Sequence, residues 1–346
     1  MSFELPPLAP WQQRVHDQAV AALDSGRLSH GLLFCGPARL GKRALAERLA
    51  RRLLCEARGP GDDACGRCRG CLLFAHRVQR DPLEVRSDGS PSHPFGHAGH
   101  PDLQLVGHEI NDKTDKPRTE IVIEQIRRIS EKLALTAQYG ASQVTIIDPA
   151  DAINHAACNA LLKTLEEPQP GRYLWLVSAN PARLPATIRS RCQRLEFRLP
   201  PRDEAEAWLR AQGHADAAVR EALDAARGHP GLADAWLRDG GLALRREVAA
   251  DLQAVARNER STMETAKRWV DSGDLDLRLR HAADLAVAEA GRLTDPSRIR
   301  TLATWFDAAN RTRDLLRTTV RADLAMVELL TQWRAGASQT TSGGRR

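Results

Sequence analysis

The sequence predicts a parallel α/β sheet covered by helices, followed by an all-helical region. Through the first 200 residues, short apolar strands alternate with helical segments, which is the pattern of a parallel sheet. After Pro201 the strand signals vanish, and Ala, Leu and Arg dominate to about residue 335. The chain has 346 residues, of which 42% are hydrophobic. This length is enough for two or three domains.

The sheet domain is expected over residues 1–199. Its predicted strands are apolar or β-branched runs at 31–35, 103–106, 144–148, 173–177 and 195–197. Helices are predicted where apolar residues recur at helical spacing, as in Leu45, Leu49 and Leu53, in Ile126, Ile129 and Leu133, and in Ala157, Leu161 and Leu165. Pro168 ends the last of these helices. Segment 81–118 is rich in Pro, Gly, His and charged residues, and we expect a surface loop there around the single strand 103–106.

The helical region is expected to form two parts and a tail. Asp239-Gly240-Gly241 interrupts it and separates a small bundle at 200–240 from a larger one at 241–335. Residues 336–346 are rich in Ser, Thr and Gly and are expected to be disordered.

Four of the seven cysteines form a C-x9-C-x2-C-x2-C cluster made of Cys55, Cys65, Cys68 and Cys71. In a reducing compartment such a cluster favours a metal site over disulfides. Four thiolates make a closed, tetrahedral and therefore structural Zn²⁺ site, here within a module at about 55–75. The alternatives are four unrelated buried thiols or a redox C-x-x-C pair. The three single cysteines, Cys35, Cys158 and Cys192, are expected in the core.

Residues 36–43 (GPARLGKR) lie between a predicted strand and a predicted helix. A nucleotide-binding loop carries G-x-x-x-x-G-K-[ST] in that setting, where the last hydroxyl binds Mg²⁺. Gly36, Gly41 and Lys42 match this pattern, but Arg43 places a positive charge at the hydroxyl position. The alternative is a simple strand-to-helix turn.

The acidic half of a nucleotide site is also incomplete. Asp148 ends a predicted strand, where such a site needs a carboxylate, but Pro149 follows it and cannot activate water. With both Arg43 and Pro149 in place, we expect that this chain neither holds ATP nor hydrolyses it.

Two other groupings of polar residues are interpreted as structural. Glu166 and Glu167, at a predicted helix end before Pro168, are expected to be solvated. The irregular spacing of a histidine-rich group argues against a second metal site there; its members are His93, His97, His100 and His108, with Asp102.

Composition and charge limit the function classes. Lys and Arg number 50 against 44 Asp and Glu, for a net charge of +6, which permits a nucleic-acid partner without requiring one. Only 4% of residues are aromatic, which argues against a base-stacking platform. The sequence has no run of about 18 apolar residues and no signal-peptide pattern at its start. We therefore expect a cytoplasmic protein without membrane contact.

These features together resemble the delta-prime subunits of bacterial DNA polymerase III clamp loaders, a family within the AAA+ ATPase superfamily. The similarity is strong over about residues 10–200 and weaker beyond. It is carried by the loop at 36–43, which departs from the nucleotide-binding pattern, and by the cysteine module that follows the next helix. It is also carried by the segments SHGLLF (29–34), HPD (100–102), IEQIR (123–127), NALLKTLEEP (159–168) and SRC (190–192).

The resemblance implies an AAA+ sheet domain with an inserted zinc module, a small helical lid and a C-terminal helical collar that oligomerises. It implies a complex with delta and gamma/tau subunits that loads the sliding clamp onto primed DNA, in which this subunit does not hydrolyse ATP. It also places Arg191 as an arginine finger, which acts in trans on the ATP of a neighbouring gamma/tau subunit. Any contact of this chain with primer-template DNA is expected to be weak and to involve backbone phosphates.

Two other functions compete with this interpretation. The first is an ATP-hydrolysing gamma/tau-like motor subunit, which Arg43 and Pro149 oppose. The second is a stand-alone zinc-stabilised DNA-binding module, which predicts tight and salt-sensitive DNA binding without partners.

Overall fold

The computed structural model describes residues 3–59, 63–86, 90–111, 114–316 and 318–342. Its contacts divide the chain into two compact units, Met1–Trp208 and Leu209–Arg346. The division lies a few residues beyond the predicted boundary because the start of the helix that follows residue 200 packs on the first unit. There, Trp208 meets the Trp11 ring edge-on at 5.2 Å between ring centroids. The separation of the second unit into lid and collar stays a prediction.

The first unit is built on a parallel sheet, as the sequence predicts. Its strands are β1 (Gly31–Cys35), β2 (Arg77–Val78), β3 (His97–Ala98), β4 (Leu103–Val106), β5 (Ile110–Asn111), β6 (Lys116–Pro117), β7 (Gln143–Ile147), β8 (Arg172–Ser178) and β9 (Gln193–Glu196). Five strands form the sheet in the order β4-β7-β8-β1-β9, and every neighbouring pair is parallel. The carboxyl ends of these strands therefore meet at one edge, where ligands bind in open α/β sheets.

Helices cover both faces of this sheet. They are α1 (Pro10–Asp24), α2 (Lys42–Leu53), α3 (Arg69–Ala75), α4 (Ile123–Ala134), α5 (His155–Glu166) and α6 (Ala186–Arg189). Side chains alternate along β1, so Leu32 and Phe34 join a core with α1 and α2, whereas Leu33 joins a second core with α4 and α5. The single cysteines Cys35, Cys158 and Cys192 are buried, as predicted.

Helices make up the rest of the described chain. They are α7 (Arg202–Ala211), α8 (Asp216–Ala225), α9 (Pro230–Arg238), α10 (Gly241–Ala256), α11 (Thr262–Asp271), α12 (Leu275–Ala290), α13 (Pro296–Leu315) and α14 (Ala322–Ser342). Helix α9 ends and α10 begins at the predicted interruption, where Gly240 has a φ of 75°, while a domain boundary there stays a prediction. The core of the second unit is rich in tryptophan, with Trp269, Trp305 and Trp333 buried in it.

Segment 81–118 is not the surface loop that its composition predicts. Strand β4 is confirmed, but β3, β5 and β6 also lie here, and several polar side chains are buried. Asp102, for example, accepts hydrogen bonds from the backbone N–H groups of Gln138 (2.9 Å) and Tyr139 (2.7 Å). Because these two bonds satisfy the Asp102 carboxylate, its burial costs little. Residues 87–89 and 112–113 of this segment lie outside the described residues.

Helix α14 continues to Ser342 and so runs into segment 336–346, whose disorder stays a prediction. The packing of this helix reaches the start of that segment. Trp333 donates its indole N–H to the carbonyl of Leu252 (2.9 Å), and Arg298 donates to the carbonyl of Gly336 (2.6 Å). Residues 343–346 lie outside the described chain. Among the described residues, every helix is too short or too polar to cross a membrane.

Candidate functional site

The phosphate-like loop joins β1 to α2 at the carboxyl edge of the sheet and holds a tight backbone path. Gly36 and Gly41 have φ values of 135° and 81°, a region that disfavours residues with a Cβ. A Cβ on Gly36 would lie 2.1 Å from the carbonyl oxygen of Phe197, and one on Gly41 would lie 2.0 Å from Nε2 of Gln12. Gly36 is therefore required by a backbone neighbour as well as by the turn, whereas Gly41 is required mainly by its φ, because the Gln12 side chain can move.

Lys42 turns back onto its own loop. Its Nζ donates to the carbonyl oxygens of Gly36 (2.7 Å) and Pro37 (2.5 Å). Burial outweighs the attraction of Asp148 and lowers the pKa of Lys42 to about 8. In a nucleotide-binding loop this ammonium reaches the terminal phosphates, whereas here backbone carbonyls hold it.

Arg43 fills the position where a magnesium-binding hydroxyl would stand. Its Nε lies 2.5 Å from Oε1 of Glu47, and its Nη1 lies 3.5 Å from Oδ2 of Asp148. A second guanidinium, that of Arg86, contacts the same Asp148 oxygen at 2.8 Å, and Arg77 contacts the other oxygen of Glu47 at 2.8 Å. Three guanidinium groups thus pair with the two buried carboxylates. Arg43 and Arg86 occupy Asp148, the carboxylate that a nucleotide site would use for Mg²⁺.

Several partners of this cluster are not among the residues that the sequence predicts for the site. Glu47 lies one turn after Arg43 on α2, and the i,i+4 spacing could have indicated that pair. Arg77 and Arg86 come from the segment between the cysteine module and β4, and no local pattern links them to the loop.

A buried group of Glu84, His93 and His97 adjoins the loop, with its possible ligand atoms within 4.8 Å of one another. Arg43 Nη2 lies 3.4 Å from His93 Nδ1, and since a guanidinium only donates, this contact assigns Nδ1 as the acceptor. The ring proton then sits on Nε2, which lies 3.4 Å from the Glu84 carboxylate. Burial and the nearby Arg43 lower the pKa of His93 to about 2. We interpret the group as a hydrogen-bonded cluster, because Nε2 carries a proton where a metal would need its lone pair.

The four clustered cysteines converge where α2 ends and α3 begins. Their sulfur atoms lie within 4.8 Å of one another, and Sγ of Cys55 and Sγ of Cys68 are 3.8 Å apart. Four sulfurs held ~2.3 Å from a tetrahedral zinc would lie about 3.8 Å apart. The four residues can therefore bind a metal ion with only a small closing of their sulfur–sulfur distances.

Backbone N–H groups also favour thiolates in this cluster. Cys65 donates its N–H to Sγ of Cys55 and Cys68 donates to Sγ of Cys65, both at 3.3 Å, and Cys71 donates to Sγ of Cys68 at 3.4 Å. Backbone donation from Arg67 and Cys68 lowers the pKa of Cys65 to about 6, whereas burial raises the pKa of Cys71 to about 12. The thiols therefore differ widely in pKa. A bound cation would favour the ionised form of all four.

Arg191 lies apart from the loop, between α6 and β9, and 38% of its side chain is exposed. Its Nη2 lies 2.7 Å from Oε1 of Glu166, and its Nη1 donates to the carbonyl oxygen of Thr187 at 2.9 Å. Glu166 lies at a solvated helix end, as expected, with 48% of its side chain exposed, and its carboxylate also pairs with Arg191.

The parallel sheet, the glycine-rich turn between β1 and α2 and the strand-end Asp148 define an α/β protein whose loop lies where phosphate-binding loops lie, at the carboxyl edge of the sheet. The sequence profile of the family described as "DNA polymerase III, delta subunit" matches residues 11–201. The chain is 34% identical to DNA polymerase III subunit delta′ of Pseudomonas aeruginosa, over 75% of this chain and 70% of that protein. It is 32% identical to subunit delta′ of Escherichia coli, over 65% of this chain and 59% of that protein. The chain belongs to the DNA polymerase III delta′ subunit family.

Similarity to solved structures is lower. A DNA polymerase III gamma subunit-related protein from Thermotoga maritima is 15% identical, with a TM-score of 0.48, and the match covers 92% of this chain and 99% of that one.

Proposed function

We propose that this chain is the non-hydrolysing delta-prime subunit of a DNA polymerase III clamp loader in the cytoplasm. In this role it gives Arg191 to the ATP site of a neighbouring gamma/tau subunit while the complex, with delta, places a sliding clamp on primed DNA. The observation that carries the proposal is the contrast between two arginines. Arg43 is buried against Asp148 inside the chain's own loop, whereas Arg191 is accessible at the surface.

The internal site is unsuited to Mg-ATP. A magnesium ion would have to displace Arg43 and Arg86 from Asp148, and Lys42 would have to leave two backbone carbonyls. Pro149 would still supply no carboxylate to orient water. These contacts support a subunit that neither holds ATP nor hydrolyses it.

Arg191 has the chemistry of a finger. A guanidinium stays charged and can fork onto phosphate oxygens. An arginine supplied to developing γ-phosphate charge is worth about 10³–10⁵ in rate in well-studied phosphoryl-transfer systems. Its surface position between α6 and β9 supports delivery to a neighbour.

We assign Zn²⁺ to the cysteine cluster as a structural ion. When bound, the ion would neutralise the converging thiolates and fasten the end of α2 to α3. Cys55, Cys65, Cys68 and Cys71 would then occupy all four tetrahedral positions, so the site would have no place for a reacting water.

The test is Arg191→Ala in a complex reconstituted with its gamma/tau and delta subunits. We expect the rate of clamp loading to fall by at least about tenfold. The DNA-stimulated ATPase rate should fall by the part that comes from the neighbouring ATP site served by Arg191. Arg198→Ala is the matched control, because Arg198 is 79% exposed and pairs only with Glu196 among the described residues. Equal loading by the Arg191→Ala and Arg198→Ala complexes would overturn the assignment.

Experiments on the isolated chain separate the other two functions. A motor subunit would bind Mg-ATP and turn it over as the isolated chain. A stand-alone DNA-binding module would bind duplex or primed DNA tightly without partners, with an affinity that falls steeply with salt.

A further inference from the structure

The contact between Arg191 and Glu166 points to a role for the carboxylate in the proposed trans reaction. We propose that Glu166 is a positioning residue that holds Arg191 in an idle state within its own chain and releases it when a neighbour's phosphate arrives. This inference rests on the proposed function of Arg191.

The geometry shows that Arg191 is engaged through both arms of its fork. Nη2 contacts the carboxylate of Glu166 at the end of α5, and Nη1 contacts the carbonyl of Thr187 in α6. An end-on bidentate grip on a phosphate uses the same two nitrogens. The arginine therefore has to give up its charged partner before it can fork end-on onto a phosphate.

The surroundings of Glu166 explain why the pair forms. The residue ends α5, where the helix dipole is negative, and Glu167 adds a second carboxylate directly after it. The Glu166 carboxylate is therefore repelled by the negative end of the helix and by the Glu167 carboxylate. A cation at this position offsets both repulsions. Arg191 is therefore attracted to a group of negatively charged oxygens, as it would be to a phosphate. The attraction to a phosphate is stronger, since a phosphate carries more negative charge.

Exposure sets the strength of this hold. The side chains of Arg191 and Glu166 are 38% and 48% exposed, and pairs of this kind are weak because water screens them. A weak pair can hold the arginine most of the time and still yield to a triphosphate. If the phosphate contact forms only in the transition state, the energy of the broken pair is added to the barrier for hydrolysis.

The size of the effect follows from the equilibrium between held and free arginine. Removing a surface pair raises the free fraction by at most about fivefold, which equals about 1 kcal/mol at 1.4 kcal/mol per tenfold. We therefore expect Glu166→Gln to raise kcat of the Arg191-dependent reaction by about two- to fivefold, with KM for ATP unchanged. The Arg191-dependent rate is the difference between complexes with Arg191 and with Arg191→Ala.

The experiment compares four variants in the reconstituted complex, Glu166→Gln, Glu166→Asp, Glu167→Gln and Glu166→Gln with Arg191→Ala. Glu166→Asp keeps the charge and should return the rate toward that of the parent complex. Glu167→Gln removes the same charge one residue later and should have little effect, because among the described contacts Glu167 forms no ion pair with Arg191. The gain of Glu166→Gln should vanish when Arg191 is absent.

The outcomes separate the two proposals. If Arg191→Ala lowers the rate and Glu166→Gln leaves it unchanged or reduces it, the holding role is refuted while the finger survives. If Arg191→Ala has no effect on loading or ATPase, the finger itself fails, and the holding role fails with it.

Discussion

Replacing Arg43 by Met should destabilise the first unit measurably. Arg43 is buried between Glu47 and Asp148, whose side chains are 0% and 5% exposed. Breaking a buried ion pair by removing one partner costs about 3–5 kcal/mol, because it leaves an uncompensated charge. Here Arg77 and Arg86 still contact the two carboxylates, so we expect a smaller loss of about 2–3 kcal/mol.

Urea unfolding of the full chain measures this change. If the two units unfold in separate transitions, the loss should appear in the midpoint of one transition with its slope unchanged. Arg198→Ala is the control, and as an exposed surface change it should shift the unfolding free energy by less than about 0.5 kcal/mol. A loss for Arg43→Met no larger than that of the control would refute the argument that Arg43 neutralises the loop cluster.

Two more predictions concern the cysteine cluster and a buried histidine. Cys68→Ser should abolish stoichiometric zinc in the purified protein, whereas Cys158→Ala, which removes a single core thiol, should leave it; elemental analysis decides, and a zinc-free parent protein would remove the assignment. Burial lowers the pKa of His281 in the folded protein to about 4, whereas in the unfolded chain it is about 6.5. As the pH falls below about 6.5, the imidazole is therefore protonated in the unfolded chain before it is protonated in the folded one. Stability should therefore drop between pH 6.5 and 4, by at most about 3 kcal/mol from this group. His281→Leu should lack that part of the drop in pH-dependent urea unfolding, and parallel pH profiles of the two proteins would contradict it.

Patterns within short stretches of sequence predicted the main elements well. The leucines of α2 and the isoleucines of α4 recur at helical spacing, and the apolar run of β1 ends where Gly36 begins the loop. The cysteine cluster was also predictable, because its four residues lie close together in the chain. Segment 81–118 was misread because composition alone cannot tell a solvated polar loop from one whose polar groups are paired in the interior.

The sequence by itself determined the strand–loop–helix arrangement, the missing hydroxyl and carboxylate at Arg43 and Pro149, and the thiols that can take a metal. These are local facts of spacing and residue type. Only the tertiary structure decided that Arg86 and Arg77 reach the loop carboxylates and that Glu166 reaches Arg191. An ion pair between distant segments depends on how helices and strands pack, and the positions of the two charges along the chain do not encode that distance.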